Sequence, residues 1–191
     1  MFKKIVQKIG YPIVRLFFKI EVIGIDNFLQ DEPFVLVANH KSLLDVVVLY
    51  LSFNRPLNFM AKAELFKFKP LGFILKKLGA FPVNRGENDF GAVKTAMRIL
   101  RNGDVLAIFP EGTRNETVDA DGAKAGAVMI ASKSKVPVVA AAIKSDYKFR
   151  SNVKIYIDEP YRFDGEKKYN AAEYKEITKE IISRIKYLTE N

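Results

Sequence analysis

Apolar and basic residues alternate along the first twenty positions in a pattern typical of an amphipathic helix. On a helical wheel the apolar side chains fall within an arc of roughly 120°, and the basic side chains lie on its flank. The apolar set is Phe2, Ile5, Val6, Ile9, Ile13, Leu16, Phe17 and Ile20, and the basic set is Lys4, Lys8, Arg15 and Lys19. Such a helix either lies in a membrane interface or packs on the protein's own core. Pro12 predicts a kink or a break.

Beyond this segment, short apolar runs alternate with stretches of helical periodicity. The runs predict strands at Ile20–Ile25, Phe34–Ala38, Leu57–Ala61, Ala80–Val83, Val105–Phe109, Val138–Ile143 and Val153–Ile157. The helical stretches are Leu43–Ser52, Leu65–Leu78, Phe90–Arg101, Lys124–Ser134 and Ala171–Leu188. This alternation predicts a single α/β domain with a mostly parallel or mixed central sheet flanked by helices. We expect residues 1–19 to associate with a membrane and residues 20–191 to form the α/β domain.

The charge balance indicates what the protein contacts. Its 191 residues include 31 Lys and Arg against 22 Asp and Glu, a net charge of +9, which favours lipid head groups, nucleic acid or phosphorylated metabolites. The absence of cysteine excludes disulfides and thiolate chemistry. No apolar stretch reaches the length of about 18 residues that a transmembrane helix needs, and no signal peptide is recognisable. We therefore expect cytoplasmic residence.

The chain has a single histidine, His40, which follows a predicted strand and lies five residues before Asp45. Ser42 is a good N-cap, and Asp45 then occupies the first helical turn, where it completes a capping box. His40 lies outside that helix, and its ring can fold back towards the carboxylate, which would orient it as a general base. The simpler interpretation is a capping box beside an ordinary loop histidine, and spacing alone does not decide between them.

Two further segments place polar groups where predicted strands end. Arg85 follows a short strand, and its planar guanidinium suits a phosphate, although a surface arginine before a turn glycine explains it as well. Glu111, Gly112, Thr113 and Arg114 follow the strand that ends at Phe109. Thr113 and Arg114 are phosphate-type donors, and Gly112 permits a close approach or a positive φ. A plain polar loop is the alternative.

The segment Leu65–Lys77 is both apolar and basic. It either lines an acyl groove or contacts lipid while its lysines reach head groups, or it is a core helix with a solvated lysine face. The sequence contains no Walker A pattern, no G-x-G-x-x-G and no zinc-ligand spacing. We therefore expect neither a cofactor nor a bound metal.

Taken together and in order, four segments resemble the sequence blocks of the glycerolipid acyltransferase family. The family patterns are N-H-x4-D, G-x-F/I-x-V/I-x-R, F-P-E-G-T-R-S and V-P-I-x-P-V. In this chain they correspond to Asn39–Asp45, Gly79–Arg85, Phe109–Asn115 and Val136–Ala141. Asn115 stands where the family has serine, and Ala140 stands where it often has proline. The second departure leaves the shape of that strand open.

The resemblance implies acyl transfer from an acyl-CoA or acyl-carrier-protein thioester to the sn-2 hydroxyl of a lysophosphatidate, giving phosphatidic acid at the cytoplasmic face of the cell membrane. It implies that His40 is the base and that Asp45 orients it. Arg85 would bind the acceptor's phosphate, with Glu111, Gly112, Thr113 and Arg114 forming the substrate pocket. Backbone amides near His40 or Gly112 would stabilise the oxyanion.

Three alternatives are open at this point. Another acyltransferase of the same family would use a different lysophospholipid, glycerol-3-phosphate or an amino-acid lipid as acceptor. A non-catalytic peripheral lipid-binding protein would explain the amphipathic segments. Nucleic-acid binding rests on charge alone, lacks a recognition motif and leaves the N-terminal pattern unexplained, so we expect no nucleic-acid partner.

Overall fold

The computed structural model describes residues 2–84, 89–115 and 117–190. Side chains are described from residue 5 onward. The helices are α1 Phe2–Phe17, α2 Leu43–Ser52, α3 Lys69–Leu78, α4 Phe90–Arg101, α5 Gly126–Ser134 and α6 Ala171–Glu190. The strands are β1 Lys19–Ile23, β2 Val35–Ala38, β3 Leu57–Lys62, β4 Phe81–Val83, β5 Val105–Ile108, β6 Val138–Lys144 and β7 Asn152–Ile157.

Within these described ranges, seven strands form one mixed sheet in the order β1-β7-β6-β2-β5-β3-β4. The five strands from β6 to β4 are mutually parallel, because a helical connection brings each strand back in the same direction. β7 turns antiparallel to β6 after the short connection of residues 145–151, and β1 pairs in parallel with β7. The mixed sheet agrees with the sequence prediction.

Helices cover both faces of the sheet. α1 and α2 contribute to one apolar cluster, and α4, α5 and α6 contribute to a second cluster on the opposite face. β2 and β5 are buried at every position, which is why they read as continuous apolar runs rather than as alternating patterns.

Most predicted elements agree with the structure to within one or two residues at each end, and the following predictions about helices differ. The helix predicted over Leu65–Leu78 begins at Lys69, since Pro70 fits the first turn of a helix, and a 3-10 turn at Ala63–Phe66 precedes it. The helix predicted from Lys124 begins at Gly126. The break predicted at Pro12 is wrong: α1 is continuous, and Pro12 is exposed, so that water can satisfy the carbonyl left without a donor.

Helix α1 packs against α2 and α3 through a narrow strip of its surface. Val6 and Val14 contact the core, and a Cβ at Gly10 would lie 3.0 Å from a Leu51 methyl group, so the helices approach closely there. The Gln7 amide donates to the carbonyls of Tyr50 and Phe53, at 2.8 and 3.0 Å, at the end of α2.

Most of the predicted apolar arc of α1 nevertheless faces outward. The exposed members are Ile5, Ile9, Ile13, Leu16 and Phe17. The helix therefore docks on the core, as one of the two interpretations requires, and it still presents an apolar face, so that membrane association of residues 1–19 stays a prediction. Among the described residues, no helix is both long and apolar enough to cross a membrane.

Helix α3 presents a similar surface. Gly72 is its only buried residue, whereas Leu71, Phe73 and Ile74 are exposed and lysines surround them. The interpretation of this segment as a core helix is therefore wrong.

Candidate active site

The carboxyl ends of three neighbouring parallel strands bring the candidate residues to one edge of the sheet. β2 lies between β5 and β6, so the loops that follow these strands are adjacent. The loop after β2 carries His40, and the loop after β5 carries the segment Phe109–Asn115. In parallel α/β sheets ligands bind beyond this edge.

Asn39 fixes the start of the loop after β2. Its buried side chain donates to the Ile143 carbonyl at 3.0 Å and accepts from the Ile143 amide at 2.8 Å. The side chain thereby extends the β2–β6 pairing by one step, as a backbone would. This role explains why an amide precedes His40, and the sequence analysis did not assign it.

The contact between His40 and Asp45 and the capping box are both present. Ser42 caps α2, with its hydroxyl accepting from the Leu44 amide at 3.2 Å and Asp45 completing the box. The His40 ring folds back so that Nδ1 lies 3.1 Å from Oδ2 of Asp45. The two interpretations of this motif are therefore compatible, because the same carboxylate performs both tasks.

Four donors converge on the Asp45 carboxylate, which is 2% exposed. The amides of Lys41 and Ser42 donate to Oδ2 at 2.7 Å each, next to His40, and the Tyr147 hydroxyl donates to Oδ1 at 2.5 Å. Burial opposes ionisation, but the hydrogen bonds from His40, Tyr147 and the two amides outweigh it and hold the pKa of Asp45 below its ordinary value. A negative charge is therefore stable beside the imidazole.

Tyr147 is a site residue that the sequence analysis missed. It follows the carboxyl end of β6, the same sheet edge as His40, and this position was the one available signal. Its burial, reinforced by the neighbouring Asp45 charge, raises the pKa of Tyr147 far above its ordinary value, so the phenol stays protonated as a donor.

Packing orients the His40 ring, which is 11% exposed. The ring stacks on Phe109 with centroids 4.1 Å apart, and Phe109 in turn stacks on Phe59 at 6.1 Å. The Asn115 amide donates to the His40 carbonyl at 2.9 Å, which ties the loop after β5 to the histidine. With Nδ1 engaged by Asp45, Nε2 is the nitrogen left for a substrate.

The loop after β5 begins with a tight turn. The Gly112 amide donates to the Phe109 carbonyl at 3.0 Å, and Gly112 adopts φ +69°, which glycine accommodates best. Oε2 of Glu111 is buried and makes no hydrogen bond within the described residues. Burial, helped by the charges of Asp119 and Asp45 against a hydrogen bond from Asn115, raises the pKa of Glu111 to about 7.

The remaining predicted site residues are Thr113, Arg114 and Arg85. Thr113 and Arg114 are exposed on this loop, and Arg85 lies outside the described residues. The amides of Lys41 and Ser42 are bonded to Asp45, and the Gly112 amide is bonded to Phe109, so these three are already engaged; that another backbone amide near His40 or Gly112 stabilises the oxyanion stays a prediction. In the described ranges, no group of three His, Cys, Asp or Glu side chains is arranged to hold a metal ion.

Comparison with known proteins identifies the family. The model of the family described as "Acyltransferase" matches residues 19–144, about two thirds of the chain. The chain belongs to the acyltransferase family. The 1-acyl-sn-glycerol-3-phosphate acyltransferase of Bacillus subtilis (strain 168) is 36% identical over 148 residues, which are 74% of this chain and 73% of the relative. A probable 1-acyl-sn-glycerol-3-phosphate acyltransferase of Mycoplasma genitalium is 31% identical over 97% of this chain and 69% of the relative.

A solved structure supports the same assignment. The crystal structure of the 1-acyl-sn-glycerophosphate acyltransferase PlsC from Thermotoga maritima is similar with a TM-score of 0.70 and 28% identity, covering 99% of this chain and 79% of that chain. The matched family segment contains His40, Asp45 and Glu111 of this acyltransferase, whereas Tyr147 lies beyond its end.

Proposed function

We propose that this acyltransferase moves a fatty acyl group from an acyl-CoA or acyl-carrier-protein thioester to the sn-2 hydroxyl of 1-acylglycerol-3-phosphate, forming phosphatidic acid. The names of its relatives support this acceptor. The observation that carries the proposal is the 3.1 Å contact between His40 and the buried Asp45 at the ligand-binding edge of the sheet.

The arrangement suits direct transfer. Nε2 of His40 takes the proton from the lipid hydroxyl as its oxygen attacks the thioester carbonyl, and Asp45 stabilises the resulting imidazolium. The tetrahedral intermediate collapses with cleavage of the C–S bond, and the imidazolium returns the proton to the departing thiolate. No acyl-enzyme is required, which agrees with a chain that has no cysteine.

We assign the acceptor's phosphate to Arg85, supported by Gly112, Thr113 and, more weakly, Arg114. Glu111, with its pKa near 7, is protonated in part at neutral pH and can donate to a phosphate or hydroxyl oxygen. Replacement of Arg85 with alanine distinguishes acceptors. A phosphomonoester acceptor loses affinity, seen as a raised KM, whereas an unchanged KM favours another lipid acceptor.

Purified full-length protein with lysophosphatidate and either acyl donor tests the activity. We expect phosphatidate formation by the wild type and a loss of at least three orders of magnitude in kcat for His40→Ala, the loss expected when a general base and its orientation both disappear. Circular dichroism of the variant confirms that it folds. Undiminished turnover by His40→Ala would refute the assignment of the base.

We further propose that the protein binds the cytoplasmic face of the membrane through α1 and α3. These packed helices expose large apolar side chains, including Leu16 at 71% and Phe73 at 63%, and Lys8, Lys76 and Lys77 are exposed near them. Apolar groups can enter the acyl boundary while the lysines meet anionic head groups. The lipid acceptor would then reach the site without leaving the bilayer surface.

Co-sedimentation with vesicles containing anionic phospholipid tests this surface. Ile13→Glu with Leu16→Glu changes two exposed positions of α1 without touching the strip that contacts the core. We expect vesicle binding to fall at least tenfold, since each such side chain contributes about 1 kcal/mol or more when it enters lipid. Tyr187→Glu on α6, at the opposite face of the sheet, is the control and keeps wild-type binding. Unchanged binding by the double variant would refute this surface.

A further inference from the structure

Tyr147 adopts an unusual backbone conformation in the turn between β6 and β7. Its φ is +52°, in the left-handed region that bulky residues rarely occupy. The Tyr147 amide donates to Oγ of Ser145 at 3.0 Å, which helps to hold this conformation. A non-glycine residue kept in such a conformation often serves a function.

This conformation places the phenol on the oxygen of Asp45 that the other donors leave open. Three of the four donors, the amides of Lys41 and Ser42 and the ring of His40, all meet Oδ2. Tyr147 alone donates to Oδ1, at 2.5 Å. A carboxylate held from both oxygens cannot rotate about its terminal torsion, so Oδ2 stays directed at Nδ1 of His40.

We propose that Tyr147 is a positioning residue that fixes the plane of the Asp45 carboxylate and thereby the orientation of the His40 imidazole. Its consequence for catalysis rests on the function proposed above, in which His40 is the base. Tyr147 lies beyond the segment that the family model matches, so the family match by itself does not assign this residue a role.

The end of α1 supports the phenol from behind. The Tyr147 ring contacts Phe18 edge-to-face, with centroids 5.6 Å apart. Phe18 follows α1 directly and its amide still bonds to the Val14 carbonyl. The Arg150 amide donates to the Phe17 carbonyl at 2.6 Å, so the turn that carries Tyr147 is attached to the same helix end. The position of the phenol therefore depends on α1 being docked.

Tyr147→Phe tests the proposal, and the chain offers a matched control. Tyr50 is a buried tyrosine on the same helix as Asp45, and its hydroxyl has no hydrogen-bond partner within the described residues. Tyr50→Phe therefore removes the same atom without touching Asp45. We expect Tyr147→Phe to lower kcat about tenfold with unchanged KM for both substrates, and Tyr50→Phe to keep wild-type kinetics.

Nuclear magnetic resonance provides a readout that needs no activity. His40 is the only histidine, so the imidazole ¹⁵N and ¹H signals of the full-length protein belong to one residue. We expect Tyr147→Phe to shift these signals and Tyr50→Phe to leave them in place. Unchanged His40 signals in Tyr147→Phe would overturn the proposal, and a lower kcat alongside them would instead mean that Tyr147 contacts substrate.

The two readouts also separate this proposal from the proposed function. A wild-type protein without acyltransferase activity would refute the function, while the His40 signals would still decide whether Tyr147 orients the ring. Phe18→Leu supplies a second variant in which the hydroxyl is kept but its support is weakened. In Phe18→Leu we expect smaller shifts of the His40 signals than in Tyr147→Phe. If Tyr50→Phe shifted the His40 signals as much as Tyr147→Phe does, the assignment of Tyr147 as the positioning residue would be refuted.

Discussion

Asparagine in place of Asp45 keeps a hydrogen-bond acceptor at the start of α2 but removes the negative charge beside His40. An asparagine oxygen at the position of Oδ2 still accepts from the amides of Lys41 and Ser42. Its amide nitrogen then faces Tyr147, whose hydroxyl can rotate to accept instead of donate. The capping role survives this substitution, and the electrostatic role does not.

The expected loss of kcat in Asp45→Asn follows from the geometry of the His40–Asp45 contact. Nδ1 of His40 lies 3.1 Å from Oδ2 of Asp45, so the imidazolium and the carboxylate would be neighbouring charges in direct contact. A pair at roughly 4 Å interacts by about 4 kcal/mol at an effective dielectric constant near 20. If the imidazolium forms in the transition state, losing that interaction lowers kcat by about three orders of magnitude. We expect a smaller loss in the free energy of unfolding than for Asp45→Ala, because the Lys41 and Ser42 amides keep an acceptor while the negative charge and the Tyr147 O–H donation are lost.

Two comparison variants make the test decisive. Asp45→Ala leaves the Lys41 and Ser42 amides and the Tyr147 hydroxyl without a partner, so we expect a loss of at least about 3 kcal/mol in stability. Ser42→Ala removes only the cap hydroxyl. We therefore expect the free energy of unfolding to fall by about 1 kcal/mol and kcat to stay unchanged. Steady-state kinetics and urea unfolding of all three variants measure both roles. If Asp45→Asn keeps kcat near that of Ser42→Ala, Asp45 is only a helix cap and the reasoning fails.

Three further substitutions test other parts of the site. Glu111 has a folded pKa of about 7 against an ordinary value of 4.5, so its own contribution to stability is fully present below about pH 4.5 and is lost as the pH rises from there to about 7. Glu111→Gln should therefore raise the free energy of unfolding by about 2 kcal/mol at pH 8, after a discount for partial exposure, and by much less at pH 5. Equal effects at both pH values in urea titrations would contradict this. Asn39→Leu leaves the buried amide and carbonyl of Ile143 unpaired and should destabilise the fold by about 2–4 kcal/mol, measured by thermal unfolding, where an unchanged Tm would show that the bridge is dispensable. Phe109→Leu removes the stacking partner of His40 and should lower kcat about three- to tenfold with little change in KM, and wild-type turnover would show that the stack does not orient the ring.

Local chemistry explains which predictions about the site succeeded. The contact between His40 and Asp45 could be anticipated because it spans five residues and depends on the Ser42 cap, a local rule of helix starts. Tyr147 lies 102 residues from Asp45 and could not be anticipated, since its direction depends on a left-handed backbone in the turn after β6. The engagement of the Lys41, Ser42 and Gly112 amides was missed for a related reason. Spacing does not show which acceptor an amide meets.

The sequence by itself determined the α/β class, the seven strands and the helices that follow them, because apolar periodicity records which faces are buried. It also placed the polar groups at the ends of strands, where a parallel sheet gathers them. Only the tertiary structure decided which face of α1 docks: close contact at Gly10 and the Gln7 hydrogen bonds bring a narrow strip inward and leave the larger apolar arc exposed. A wheel shows where side chains point around one helix. What they meet depends on the neighbouring elements, whose positions are settled by packing across the whole chain.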